Sequence, residues 1–244
     1  VTDLAGAYAD ARRRFTELLA GLDEAALAAR VPACPAWTVH DVLAHTTGVA
    51  AAAAGGTYFS GAADAWRDTQ LAAARDGWTA GQVRSRRDQS VQALVAEWAG
   101  WAAALEPMLA GTVPPRPGSP AWLSTAPVAD LAAHLHDVRG ALRRPGDRDA
   151  PATTLGLRIY ARWLGQRLDQ AHLPALRLRA ADREWVEGSG PPAAALTADA
   201  FELFRAISGR RDLDQIRALT WDGDPEPYLD LLSPYPVPTS PLVE

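Results

Sequence analysis

The stretch CPAWTVHDVLAH, residues 34–45, and its counterpart DLAAHLHD, residues 130–137, decide how this chain reads. Each is helical in pattern and aims an imidazole at an apolar face. Positions three and four apart share a face of an α-helix, so Asp130, His134 and Asp137 form one stripe, and Asp130 and His134 can grip one ion from consecutive turns. That stripe borders Val128, Leu131, Leu135, Val138 and Leu142, which places His134 at the edge of a buried surface. His45, between Val42 and Val49, faces inward on the other segment. Two imidazoles and a carboxylate meeting in a core need compensation, because unpaired polar groups there cost about 1–3 kcal/mol each. A divalent cation would supply it, and so would a hydrogen-bonded set of core histidines; spacing alone leaves both readings open.

The neighbouring residues read more simply. Thr38 stands where a helix N-cap belongs, and Asp41 three residues later completes a capping-box-like start. His40 and His136 fall off the inward faces, and His172 precedes Pro174 near a helix end, so all three read as surface or capping residues. Cys34, between Pro32 and Pro35, is open to two readings, a nucleophile with a lowered pKa or a small packing residue.

The chain has 244 residues, 48% of them hydrophobic, enough for one large core or a main domain with a small one. All of its basic residues are scattered arginines, and the formal charge is −5, which argues against a nucleic-acid partner. A single cysteine excludes an internal disulfide framework and makes a reducing cytoplasm the expected compartment. No apolar run has the length of a membrane span, and the first residues show no signal-peptide pattern.

Leu4, Tyr8, Ala11, Phe15, Leu18 and Leu22 predict an amphipathic helix over Thr2 to Leu22. A short helical piece follows at 23–30. Prolines 32 and 35 then interrupt the pattern before a helix over 38–59 that ends near Gly55-Gly56. The region 66–78 reads as partly helical, and a long helix is expected over 80–109, with Val91, Leu94, Trp98, Trp101, Leu105 and Met108 inward. The helix carrying Asp130 and His134 runs over 127–143. Four such helices make an antiparallel four-helix bundle the economical architecture, giving a mainly α fold with the bundle in residues 1–150. A linking helix over 153–170 leads into a small α+β domain, so that residues 151–244 form the second unit. There Leu176 to Ala180 alternates as a strand, Asp182 to Val186 reads as turn then strand, and 193–196 is a further apolar piece. Thr197 is expected to cap a helix through Ser208, and the proline-rich end reads as extended and packed.

Taken together, CPAWTVHDVLAH, Asp130-x-x-x-His134-x-x-Asp137, and Ser208-Gly-Arg-Arg-Asp-Leu with Gly223-Asp-Pro225 resemble the mycothiol-dependent maleylpyruvate isomerase family, nearly end to end. The resemblance implies a DinB-like four-helix bundle that holds zinc, followed by a small sterol-carrier-like domain. It implies the ligands His45, Asp130 and His134, with aspartate at 130 where the family pattern has glutamate, one methylene longer. Asp137 would orient an imidazole or a bound thiol, the alternative being a surface salt bridge. Three protein ligands leave a fourth zinc position open, and a thiol bound there is held as thiolate. The resemblance makes that thiol mycothiol. The family reaction adds the sulfur to the cis double bond of maleylpyruvate, lets the resulting single bond rotate, and expels the thiol to leave fumarylpyruvate. An S-transferase acting on another small electrophile fits the same motifs, as does a non-catalytic metal-containing binding or regulatory protein. Arg210, in the Gly-Arg motif, is the expected contact for an anionic substrate; a helix C-terminal or Asp-paired role is its structural alternative.

Overall fold

Four helices close a ring around the first core: α1 (Leu4–Leu19), α3 (Val39–Gly55), α5 (Val91–Leu109) and α6 (Ala126–Ala141). Within that ring α1 packs on α5 and α6, and α3 packs on the same two. The short α2 (Glu24–Leu27) and the two-stranded β1 (Arg30–Val31) and β2 (Cys34–Thr38) precede α3, and α4 (Thr69–Arg84) lies against α3. The computed structural model describes residues 3–61, 64–181 and 183–244. The expected helix start at Thr2 and the turn residue Asp182 lie outside them.

The chain divides into two compact units, one of residues 1–152 with the terminal Glu244, the other of residues 153–243. The first is held by the apolar face of each bundle helix. Phe15 and Trp98 meet edge to face at 5.6 Å, and the Trp98 indole N–H donates to the Tyr8 hydroxyl at 2.8 Å, so a large aromatic pair is buried with its polar tips satisfied. The Thr38 capping box starts α3 as expected: the Thr38 hydroxyl accepts from the Asp41 N–H, and the Asp41 carboxylate accepts from the Thr38 N–H. Gly56, at φ 76°, ends the helix in the left-handed conformation that glycine adopts without strain.

Several expectations are corrected, among them the inward position of Trp101, which is exposed. The long helix over 80–109 is two helices, α4 and α5, because Ser90 caps a new start through the Ala93 N–H, while Arg86 and Gln89 both turn back onto Glu97. His40 takes part in that break, its Nε2 lying 2.8 Å from the Gln89 carbonyl. Residues 34–38 form a strand paired with β1, where the prolines had suggested only an interruption. His136 is buried and not a surface residue. Helix α6 buries nearly every side chain from Pro127 to Val138, since α1, α3 and β1 surround it, and a helix enclosed on several sides has no polar face to assign by period.

The second unit begins with α7 (Pro151–Gln170) and continues into a four-stranded sheet of order β4-β3-β5-β6. Its strands are β3 (Ala175–Ala180), β4 (Arg183–Glu187), β5 (Pro192–Thr197) and β6 (Thr220–Asp222); β3 and β5 are parallel and the other pairs antiparallel. Helix α8 (Ala200–Ile207) is capped by Asp199 and not by Thr197, which ends β5. The short α9 (Leu213–Arg217) and α10 (Glu226–Leu229) complete it. The fold is mainly α with a small β part.

Candidate metal centre

Helix α3 delivers His45 from its second turn, and α6 delivers Asp130 and His134 one turn apart. His45 Nε2 lies 3.5 Å from Asp130 Oδ1, and His134 Nε2 lies 3.6 Å from the same oxygen. The two rings stand nearly perpendicular with centroids 5.0 Å apart. These separations lie nearer to the spacing of co-ligands than to that of a good hydrogen bond. A good N–H···O hydrogen bond places the heavy atoms about 2.9 Å apart, whereas two ligands each about 2.0–2.1 Å from one zinc at a tetrahedral angle lie roughly 3.3–3.4 Å apart. Three atoms able to act as ligands, gathered within 4.8 Å of one another, fit a divalent cation. The aspartate, though shorter than the family's glutamate, reaches both imidazoles.

Asp137 occupies the far side of His134. Its Oδ2 lies 3.0 Å from His134 Nδ1, and the residue is 1% exposed, so it is no surface salt bridge. A hydrogen-bond distance at Nδ1 places the proton there and leaves Nε2 as the lone-pair atom facing Asp130. Burial lowers the pKa of His134, yet the Asp130 charge and the hydrogen bonds to Asp137 and Cys34 outweigh it and raise it well above the ordinary value, so the metal-free ring favours its protonated form and a cation at Nε2 would displace that proton. The two histidines differ in support, because His45 Nδ1 is buried with no hydrogen-bond partner among the described residues.

The strand β2 brings two more groups. The Cys34 thiol donates toward Asp137 Oδ2 at 3.6 Å and sits 3.9 Å from His134 Nδ1. Trp37 lies against both imidazoles, its ring centroid 4.6 Å from His45 and 5.9 Å from His134. Cys34, His134 and Asp137 also have ligand atoms close enough to share an ion. Their shortest separation is a hydrogen bond, however, and that favours a chain in which Cys34 supports Asp137 and Asp137 supports His134. Cys34 is thus neither an isolated nucleophile nor plain packing. Nothing in its spacing to residue 137 could have revealed this, since β2 must first pair with β1 to turn the thiol inward. Tyr8 of α1 stands within electrostatic reach of Asp130, and burial raises its pKa, keeping it a neutral hydroxyl.

Arg210 belongs to the second unit. It is buried, its Nη1 donates to the Ser208 carbonyl at 2.6 Å, and its guanidinium lies 5.9 Å from the Tyr235 ring centroid. Asp212, which might have paired with it, instead caps α9 through the Gln215 N–H.

The family model described as mycothiol maleylpyruvate isomerase N-terminal domain matches residues 8–139, more than half of the chain and all of the centre just described. The chain belongs to that family. Two solved structures share the fold across both units, each covering 90% of this chain and 91% of its own at 15% identity. One is a histidine-to-alanine mutant of the mycothiol-dependent maleylpyruvate isomerase, with a TM-score of 0.58, and the other is the mycothiol-dependent maleylpyruvate isomerase itself, with a TM-score of 0.52. No curated protein sequence matches. Among the described residues, no helix is long and apolar enough to cross a membrane.

Proposed function

We propose that this protein is a zinc-dependent enzyme that uses mycothiol to act on a small anionic electrophile in the cytoplasm, as a maleylpyruvate cis–trans isomerase or a mycothiol S-transferase. The observation that carries the reading is the convergence of His45 Nε2, Asp130 Oδ1 and His134 Nε2 at separations suited to co-ligands and too long for good hydrogen bonds. Family membership supports the choice of thiol.

The residues divide the work. His45, Asp130 and His134 hold the cation. Asp137 fixes the tautomer of His134 by taking its Nδ1–H, which keeps Nε2 available. Cys34 donates to Asp137 and so steadies that carboxylate. Trp37 covers the two imidazoles with an apolar surface, which excludes water and strengthens every electrostatic interaction beneath it. Arg210 is assigned the substrate carboxylate, for which a guanidinium is the complementary group. When bound, the metal supplies a lowered thiol pKa, and the thiol supplies a sulfur nucleophile whose reversible addition to a double bond permits rotation.

Elemental analysis of the wild-type protein, His45→Ala and His134→Ala tests the site. Near-stoichiometric zinc in the first and little in the other two is expected; equal zinc in all three removes the proposal. Maleylpyruvate turnover with and without mycothiol then separates the activities. Thiol-dependent turnover identifies the isomerase, and thiol binding without turnover favours the transferase. Zinc binding with neither thiol binding nor turnover would leave a non-catalytic metal protein.

A further inference from the structure

Helix α4 buries just two of its side chains, Val83 and Gln82. Gln82 is 8% exposed, and neither its Nε2 nor its Oε1 has a hydrogen-bond partner among the described residues. Buried side-chain amides are nearly always paired, and leaving both halves of one unpaired is costly. The amide is also accommodated on purpose. A Cβ at Gly48 would come within 2.7 Å of Gln82 Cβ and 3.1 Å of its Cδ, so the missing side chain on α3 makes the room. Gly48 follows His45 by three residues, one helical turn and about 4.5 Å along the axis. A helix so thinly anchored would gain from a leucine at this position. Instead it carries a donor and an acceptor side by side into the bundle, one turn along from a proposed zinc ligand.

We infer that Gln82 is a thiol-binding residue, its carboxamide pairing with an amide of the thiol that the neighbouring centre takes. This rests on the function proposed above. The chemistry selects the partner. A neutral group with one acceptor and two donors is matched by another amide, which also accepts and donates, whereas the carboxylates of an anionic electrophile require a cation. In a thiol derived from cysteine the amide nitrogen is three bonds from sulfur, so sulfur held at His45 and His134 brings the amide to the level of the next turn. Because α4 has few buried side chains, it is easily displaced, and engaging Gln82 fastens it.

The test compares zinc-loaded wild type with Gln82→Leu, and with Gln82→Met as the closer match in shape. Titration calorimetry uses three probes: mycothiol, N-acetylcysteine, and 3-mercaptopropanol, which lacks an amide. The expected result is unchanged zinc content, a thermal midpoint in the absence of thiol equal to or above wild type, and about tenfold weaker binding of mycothiol and N-acetylcysteine. Binding of 3-mercaptopropanol stays the same. Mycothiol slows amide exchange over residues 69–84 in wild type and not in the variants. Unchanged mycothiol affinity, an equal loss for all three thiols, or a lower midpoint in both variants would each overturn the inference. Wild-type protein that binds none of the three thiols would instead sink the thiol-dependent function beneath it.

Discussion

The two units bury polar side chains for opposite ends. In the second unit the buried Arg167 and Arg211 are used up by the chain itself. Arg167 donates through Nε to the Leu231 carbonyl at 2.9 Å and through Nη2 to the Leu232 carbonyl at 2.8 Å, and Arg211 makes a two-pronged pair with Glu202, both contacts at 2.8 Å. Burial lowers the Arg167 pKa to about 10, still far enough above neutrality to keep it charged. These guanidiniums act as staples for segments that lack regular structure. In the bundle, by contrast, His45 Nε2 and His134 Nε2 share one Asp130 oxygen at 3.5 and 3.6 Å, too long for good hydrogen bonds. Polar burial that closes on itself stabilises a fold, and polar burial left open stands ready for a ligand.

That contrast can be broken experimentally. The largest effect is expected for Arg167→Met, which strips the part-buried Leu231 carbonyl and the buried Leu232 carbonyl of their donor and should destabilise the protein by ~3 kcal/mol in chemical denaturation while leaving zinc content untouched. Loss of zinc with Arg167→Met would show that the staple also serves the centre. Next comes Asp137→Asn, which removes the charged acceptor at His134 Nδ1; zinc affinity measured by competition with a chelator should fall about 10–100-fold without unfolding. An unchanged affinity would return Asp137 to a purely structural role. Thr38→Ala, which opens the capping box at the start of α3, should cost about 1 kcal/mol and weaken zinc binding only through the loosened first turn. The smallest change concerns His45→Leu. Metal-free stability should stay within about 1 kcal/mol of wild type or rise, since an unsatisfied buried group is replaced by an apolar one, while stabilisation by added zinc disappears. A clear loss of metal-free stability would mean that the bundle cluster is a closed network after all.

How much of this was legible beforehand follows from the range of the interactions involved. The i, i+4 pair Asp130 and His134, the inward position of His45 and the Thr38–Asp41 box depend on helical period and local hydrogen bonding, so the order of residues sufficed. The alternation of Leu176 to Ala180 likewise predicted β3. The burial of His136 is not legible in the sequence because α6 is enclosed on several sides, and an alanine-rich helix shows no sharp polar face from which to learn that. The break between α4 and α5 leaves no mark in the sequence because Glu97 recruits Arg86 and Gln89 across a turn, and the apolar period runs through without a visible interruption.

By itself, then, the order of residues determined a mainly α chain in which two inward-facing helices carry imidazoles, because helical geometry is local. Only the tertiary structure decided that His45 meets Asp130 and His134 across 85 residues of sequence, that Cys34 and Trp37 turn in from a short hairpin, and that Gly48 yields its space to Gln82. Those arrangements depend on which helix faces pack together, a choice made by the burial of whole apolar surfaces and not by any neighbouring residue.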